Sequence, residues 1–229
     1  MECKGRAVVA LAESYTNELI EIVQTELFQQ CIIQQYAADF IELIRAIVNK
    51  NPKCLYNYML TLGDIALRAI DLAKDASSKN LIETVSSLIR DMLGKYPHVA
   101  FHQATEYFAV GTIEGTIAVY ALREHQKLKV LEGHEEPISA LAFDQEGEEL
   151  LSYSAKENAM RIWELNTGFL SFIGISNQSS IVYLDKFSQK VETEYKSKRK
   201  DLYPQVDFNK EKEEVILCLS SEEAYAYSV

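Results

Sequence analysis

Apolar residues in the first part of the chain recur at the spacing of amphipathic helices. Three stripes follow the i, i+3, i+4, i+7 pattern, which places their members on one helix face. Their members are Phe40, Leu43, Ile44, Ile47 and Val48; Leu55, Met59, Leu62, Ala66, Ile70 and Ala73; and Leu81, Val85, Leu88, Ile89 and Met92. Pro52 suits a first helical turn, and Gly94 suits a helix end. The pattern predicts three or four antiparallel, solenoid-like helices within residues 1–97.

After Pro97 the hydrophobic period changes to that of short β-strands. Stretches rich in β-branched and aromatic residues alternate with Gly, Asn, Asp or Glu turns. They are HVAFH, YFAVGT, TIAVYAL, KLKVLEG, ISALAFD, ELLSYSA, AMRIWEL and GFLSFIG, and residues 206–229 offer three more strands. Residues 176–204 are polar, show no clear period beyond SIVYL and predict a flexible loop between blades. The sequence therefore predicts an α+β fold, with a helical domain at 1–97 and antiparallel sheets at 98–229.

Residues 133–165 resemble a WD repeat, from Gly133-His134 through the strand 138–143 to Trp163. In that family a histidine, a hydroxyl, an acid and a tryptophan form a buried chain of hydrogen bonds. The resemblance places His134, Ser152 or Ser154, and Trp163 in that chain. Glu157 is the acid nearest to the family's Asp, in a turn one residue longer than usual, so we expect the chain to be incomplete.

The preceding blade matches the WD pattern less well. Glu114-Gly115-Thr116 takes the place of Asp-Gly-Thr, Tyr120 replaces the tryptophan, and no Gly-His pair precedes it. The chain thus offers two to three β-propeller blades, too few to close a ring. Open blades leave strand edges and apolar faces uncovered. We expect them to be covered by the helical half, by blades of another chain or by a second copy.

A wider resemblance covers roughly residues 35–185, with a fainter one at 206–229. The helical stretch FIELIRAIVNKNP leads to KYPHVAFH, the blade AVGTIEGTIAVYAL and the turn SYSAKEN before Trp163. This order resembles the C-terminal end of the rabconnectin-3 beta subunit family. Its members are larger WD-repeat scaffolds that act with a rabconnectin-3 alpha partner on the vacuolar proton-pumping ATPase (V-ATPase). The resemblance implies a scaffold that regulates or assembles this pump on endomembranes.

Charge and cysteine usage narrow the class of partner and the compartment. The net charge is −11, and most of the excess acid lies after residue 97. This balance disfavours nucleic acid, whose binding depends on Lys and Arg. Cys3, Cys31, Cys54 and Cys218 lie far apart and are expected to be free cytosolic thiols. Without an apolar run of signal-peptide or membrane-span length, the chain is predicted to be cytoplasmic and peripheral to endomembranes or vesicles.

The sequence offers no motif for a catalytic site, a cofactor or a metal. His98 and His102 share a strand face but would lie about 13 Å apart, too far for one ion. No phosphate loop and no nucleophile elbow occurs. The basic cluster Lys196–Lys200 fits either a solvated linker or a contact with anionic lipid or an acidic partner. The leading hypothesis is a non-catalytic scaffold. The alternatives are a subunit of a vesicle coat or ciliary complex, and a small enzyme with an unrecognised site.

Overall fold

The computed structural model describes residues 18, 37–76, 79–165, 179–183, 205–209, 214–220 and 223–228. The chain divides into two compact units, Met1–Tyr96 with Glu124–Lys127, and Pro97–Arg123 with Leu128–Val229. Among the described residues, the first unit is helical apart from Glu124–Lys127, and the second consists of antiparallel sheets. The predicted α+β fold is confirmed.

The described residues of the first unit include three α-helices and a 3₁₀-helix. They are α1 (Ala37–Lys50), the 3₁₀-helix Pro52–Tyr58, α2 (Met59–Ala76) and α3 (Lys79–Lys95). Helix α1 stops just before Pro52, which begins the 3₁₀-helix, as expected of a residue that lacks an N–H. The apolar stripe that starts at Leu55 was expected to lie on a single helix. It instead begins in the 3₁₀-helix and continues in α2.

Helices α1 and α2 both pack against α3 through the predicted apolar stripes. Ile44, Leu62 and Leu88 are fully buried, one from each α-helix. Two polar contacts support this packing. Arg45 Nε donates to Asp91 Oδ2 at 2.8 Å, and the hydroxyl of Tyr96 donates to the carbonyl of Pro52 at 2.9 Å.

The described strands form three antiparallel sheets in series. Sheet one comprises β1 (Val99–His102), β2 (Tyr107–Gly111), β3 (Ile117–Ala121) and β4 (Gln126–Leu131), in that order. Sheet two comprises β5 (Ala140–Phe143), β6 (Glu149–Ser154), β7 (Ala159–Glu164) and β8 (Ser179–Tyr183). Sheet three comprises β9 (Gln205–Asn209), β10 (Glu214–Ser220) and β11 (Glu223–Ser228). Strand β5 lies beside β1, and β9 lies beside β5, so the first strands of the sheets follow one another.

The core between sheets one and two is apolar. Sheet one contributes Ile117, Val119 and Leu131, and sheet two contributes Leu150 and Trp163. These residues alternate along their strands with residues on the opposite face, which is the period-two pattern that predicted the strands. Over the described residues, the three sheets do not close a ring, as expected.

The loop predicted at 176–204 is wrong in part, because β8 lies within it. Ser179–Tyr183 pairs antiparallel with β7, with Ile181 opposite Arg161 and Tyr183 opposite Ala159. The predicted strand GFLSFIG, the rest of the loop and the cluster Lys196–Lys200 lie outside the described residues.

Candidate functional site

A buried chain of hydrogen bonds joins the segment between sheets one and two to sheet two. We call this segment, residues 132–139, the connector. The side chain of His134 is fully buried, with Nδ1 2.5 Å from Glu157 Oε2 and Nε2 2.8 Å from Ser152 Oγ. Trp163 Nε1 donates to the same Ser152 Oγ at 2.8 Å. We call these four residues the relay.

The chemistry of the four groups fixes where the protons lie. The indole N–H of Trp163 can only donate, and the Glu157 carboxylate can only accept. Burial lowers the pKa of His134 although Glu157 opposes this shift, so the ring is neutral at pH 7. Its proton therefore lies on Nδ1, facing Glu157, and Nε2 accepts from the Ser152 hydroxyl.

Glu157 also fixes the backbone of the connector. Its Oε1 accepts hydrogen bonds from the backbone N–H groups of Glu135 and Glu136, the second at 3.1 Å. Partial burial alone would raise the pKa of Glu157, but the hydrogen bonds from His134 and from these N–H groups hold it below its usual value. The expectation of an incomplete chain in this blade is wrong, because the longer glutamate side chain reaches His134 from a longer turn.

Of the two candidate hydroxyls, the structure brings Ser152 to His134 and Trp163. Ser154 is also fully buried, but its Oγ accepts from the backbone N–H of Glu157 at 3.5 Å. The two serines lie two residues apart on β6. The strand register places Ser152 opposite Arg161 and Leu150 opposite Trp163. This register decides which of the two serines contacts His134 and Trp163.

The corresponding turn of sheet one, residues 112–116, is organised differently. The side-chain Oγ1 of Thr112 accepts from the backbone N–H groups of Glu114 and Thr116, at 3.3 and 3.1 Å. Glu114 is exposed and contributes through its backbone. Tyr120, predicted in the tryptophan position, is fully buried and its ring lies 6.1 Å from that of Phe108.

Sequence reasoning missed the residues that hold the connector from both sides. The backbone N–H of Ile138 donates to the Thr112 carbonyl in sheet one at 3.0 Å, and that of Ser139 donates to the Tyr153 carbonyl in sheet two at 2.7 Å. Gly115 has a φ of 84°, and a Cβ atom there would lie 2.3 Å from the carbonyl oxygen of His134. The sequence did show Gly115 in a tight turn, but it did not show that this glycine packs against the backbone of His134.

The structure also describes His98, His102 and two of the four cysteines. His102 Nδ1 lies 2.8 Å from Thr105 Oγ1, and its Nε2 lies 2.9 Å from the carbonyl oxygen of Gln145. Burial lowers the pKa of His98 to about 4. Cys54 and Cys218 are free thiols, whereas Cys3 and Cys31 lie outside the described part.

In the described part of the chain, no three His, Cys, Asp or Glu residues are placed to hold a metal ion. No described helix combines the length and the apolar character needed to cross a bilayer.

Consecutive four-stranded antiparallel sheets, with first strands side by side and a buried His–Ser–Trp chain, define blades of the WD type of β-propeller. Residues 61–190, more than half of the chain, match the model of the nucleolar protein 10-like N-terminal domain, a β-propeller. The chain belongs to this family.

The comparison with solved structures finds a similar β-propeller domain. The crystal structure of the Cps50 (Swd1) β-propeller domain of Myceliophteria thermophila is 18% identical, with a TM-score of 0.39. The match covers 57% of this chain and 35% of that chain, so it spans about a third of that domain. The family match supports a β-propeller and does not support the narrower resemblance to the rabconnectin-3 beta family.

Proposed function

We propose that the chain is a non-catalytic protein-interaction subunit of a larger assembly. The observation that carries this proposal is the series of three blades that does not close within the described residues. Closed propellers use at least about four blades. Blades left open present strand edges and apolar surface that another protein can cover. An acidic chain with a net charge of −11 suits protein partners and disfavours nucleic acid.

The relay supports a structural role over catalysis. The order Ser152, His134, Glu157 matches the bonding order of a serine–histidine–acid triad, in which the serine attacks a substrate. Ser152 is fully buried, however, and its Oγ already accepts the N–H of Trp163. A nucleophile must reach its substrate. We therefore assign the relay to fixing the connector against sheet two.

The assembly that we propose is the one that regulates or assembles the V-ATPase on endomembranes. The support is the resemblance of residues 35–185 to the rabconnectin-3 beta family, and a rabconnectin-3 alpha-type protein would be the partner. The chain would then act in the cytoplasm, peripheral to the membrane.

A second candidate is a nucleolar assembly, which the name of the matching family favours. Here too the partner would be a protein, because the charge balance disfavours direct contact with RNA. A vesicle coat or a ciliary complex, in which helical and propeller modules also occur together, is a third possible setting.

Affinity purification of the tagged chain, followed by mass spectrometry, tests the proposal and separates these candidates. Proton-pump subunits with an alpha-type rabconnectin support the first assembly, and nucleolar proteins support the second. Recovery of the chain without any stoichiometric partner would overturn the scaffold role. Ile82 on α3 and Ile113 in the β2–β3 turn are exposed at 49% and 40%. Matched Ile82→Asp and Ile113→Asp baits would then show which unit carries the interface.

We also propose that residues 1–97 and 98–229 are domains that fold independently. The division of contacts at Tyr96 supports this boundary, and Glu124–Lys127 is the one segment after residue 97 that groups with the first unit. Limited proteolysis should cut near residue 97 and release two protease-resistant fragments. Simultaneous loss of both halves, without such fragments, would contradict it.

A further inference from the structure

Sheets one and two meet along an interface that we call the seam. Backbone hydrogen bonds hold it along β1 and β5 and at the end where the connector lies. The N–H of Leu141 donates to the carbonyl of Pro97 at 3.0 Å, and the connector is fixed to sheet one through Ile138. Because consecutive strands alternate in direction, the β1–β2 turn (103–106) and the β5–β6 turn (144–148) lie together at the opposite end of the seam.

His102 joins these two turns. It is the last residue of β1, and its Nε2 lies 2.9 Å from the backbone carbonyl oxygen of Gln145 in the β5–β6 turn. A carbonyl oxygen can only accept, so Nε2 carries the proton and donates it across the seam. Nδ1 lies 2.8 Å from Thr105 Oγ1. In the neutral ring, Nδ1 therefore accepts from the hydroxyl of Thr105, within the turn of His102 itself.

The residues around His102 fix the ring from both sides of the seam. Thr105 Oγ1 also accepts from the backbone N–H of Tyr107 at 3.3 Å, which holds the hydroxyl in place. In sheet two, the ring of Phe143 lies 6.1 Å from the imidazole. Gly147 has a φ of 72°, and a Cβ atom there would collide with the His102 ring. Glycine thus allows both the left-handed backbone of this turn and the close approach of the histidine.

We propose that His102 is a latch that closes the seam at the end opposite the connector, through the hydrogen bond from its Nε2 to the carbonyl of Gln145. Thr105 sets the orientation of the ring, and Gly147 leaves the space for it. The seam is then closed by a histidine at each end, His134 in the connector and His102 here. Sheets one and two therefore present one joined surface instead of two that hinge. The proposal concerns the seam alone and does not depend on which partner the scaffold binds.

Amide hydrogen exchange of the full chain, resolved by NMR, tests the latch with a matched pair of variants. His102→Gln can place an N–H near the position of Nε2 and keep the bond to Gln145, whereas the shorter side chain of His102→Asn reaches only the position of Nδ1. Both variants lose the ring. We expect His102→Asn to speed exchange of the Gly147 and Glu149 amides, which bond to Asp144, by about three- to tenfold, the effect of one partly buried hydrogen bond. His102→Gln should stay within about twofold of the wild type.

Three outcomes would overturn the proposal. Acceleration by His102→Gln as large as that by His102→Asn, or larger, means that the ring contact with Phe143 holds the turn. Unchanged exchange in both variants means that the bond to Gln145 does not hold the seam. Faster exchange throughout, in the Ile138 amide and in the paired amides of β2 and β3 as well, means that His102 supports the whole fold and not this end of the seam. Recovery of partners by affinity purification tests the scaffold role separately in every case.

Discussion

The turns that join the second and third strands of sheets one and two occupy equivalent places but are stabilised by different chemistry. In sheet one, Thr112 holds the turn through its hydroxyl and backbone. In sheet two, the side chain of Glu157 extends from the turn and accepts hydrogen bonds from His134 and from the connector backbone. The hydrogen bonds of Thr112 involve no titratable side chain, whereas those of the sheet-two turn involve two, Glu157 and His134. A repeated fold can therefore keep its geometry while only one copy responds to pH.

The largest expected effect comes from the turn of sheet one. Gly115→Ala forces a side chain onto a φ of 84° and places Cβ 2.3 Å from the carbonyl oxygen of His134. We expect the free energy of unfolding to fall by about 3 kcal/mol, because both the strain and the clash involve backbone. Urea unfolding followed by the fluorescence of Trp163, the chain's one tryptophan, measures it.

Gly94→Ala is the matched control for that substitution. Gly94 lies in α3, and no atom lies within 4 Å of the Cβ that would be added. Alanine there should be neutral or stabilising by up to about 1 kcal/mol, since it favours the helix. Equal destabilisation by both substitutions would show that the contact with His134 is unimportant.

His134→Ala tests the relay of sheet two. It removes the ring nitrogen that accepts the Ser152 hydroxyl and the N–H that Glu157 accepts, so we expect a loss of about 1–3 kcal/mol. The same urea titration measures it. Ser152→Ala should follow it closely, whereas Ser154→Ala should cost less, because only Ser152 contacts both rings. An unchanged stability of His134→Ala would contradict the relay.

The strands and the relay differ in how far the sequence could predict them. The strands followed from alternation, and His134 and Trp163 from the WD resemblance. The role of Glu157 did not follow, because its reach depends on the path of the four-residue turn, where Asn158 has a φ of 55°. The stretch SIVYL stood out within the predicted loop, but it is short and lies among polar residues, so its pairing with β7 as strand β8 was not predicted. Both the role of Glu157 and the formation of β8 depend on contacts between segments that are distant in the sequence.

The third prediction concerns pH, and it should separate the two turns. The folded-state pKa of Glu157 lies below its ordinary value of 4.5 and that of His134 below 6.5. A lowered glutamate pKa stabilises the fold above pH 4.5, and this contribution is lost as the pH falls through the folded value. For histidine, the unfolded state takes up the proton more readily, so stability already decreases below pH 6.5.

Glu157→Gln should cost about 1–2 kcal/mol at pH 7, because it removes charged hydrogen bonds to His134 and the connector. This difference from the wild type should shrink as the pH falls below 4.5, where the wild-type carboxylate becomes protonated. Urea titrations at several pH values measure it. Glu114→Gln in the exposed turn of sheet one is the control, and its difference should stay near zero. A constant difference for Glu157→Gln would contradict the charged interaction.

The smallest effect is expected when the hydroxyl of the first turn is removed. Thr112→Val keeps the shape of the buried side chain but loses the oxygen that accepts from Glu114 and Thr116. We expect a loss of about 1 kcal/mol, equal at pH 4 and pH 7, because no titratable group takes part in these bonds. Thermal unfolding at both pH values measures it. If the loss varied with pH as that of Glu157→Gln does, the two turns would share one mechanism, and their contrast would disappear.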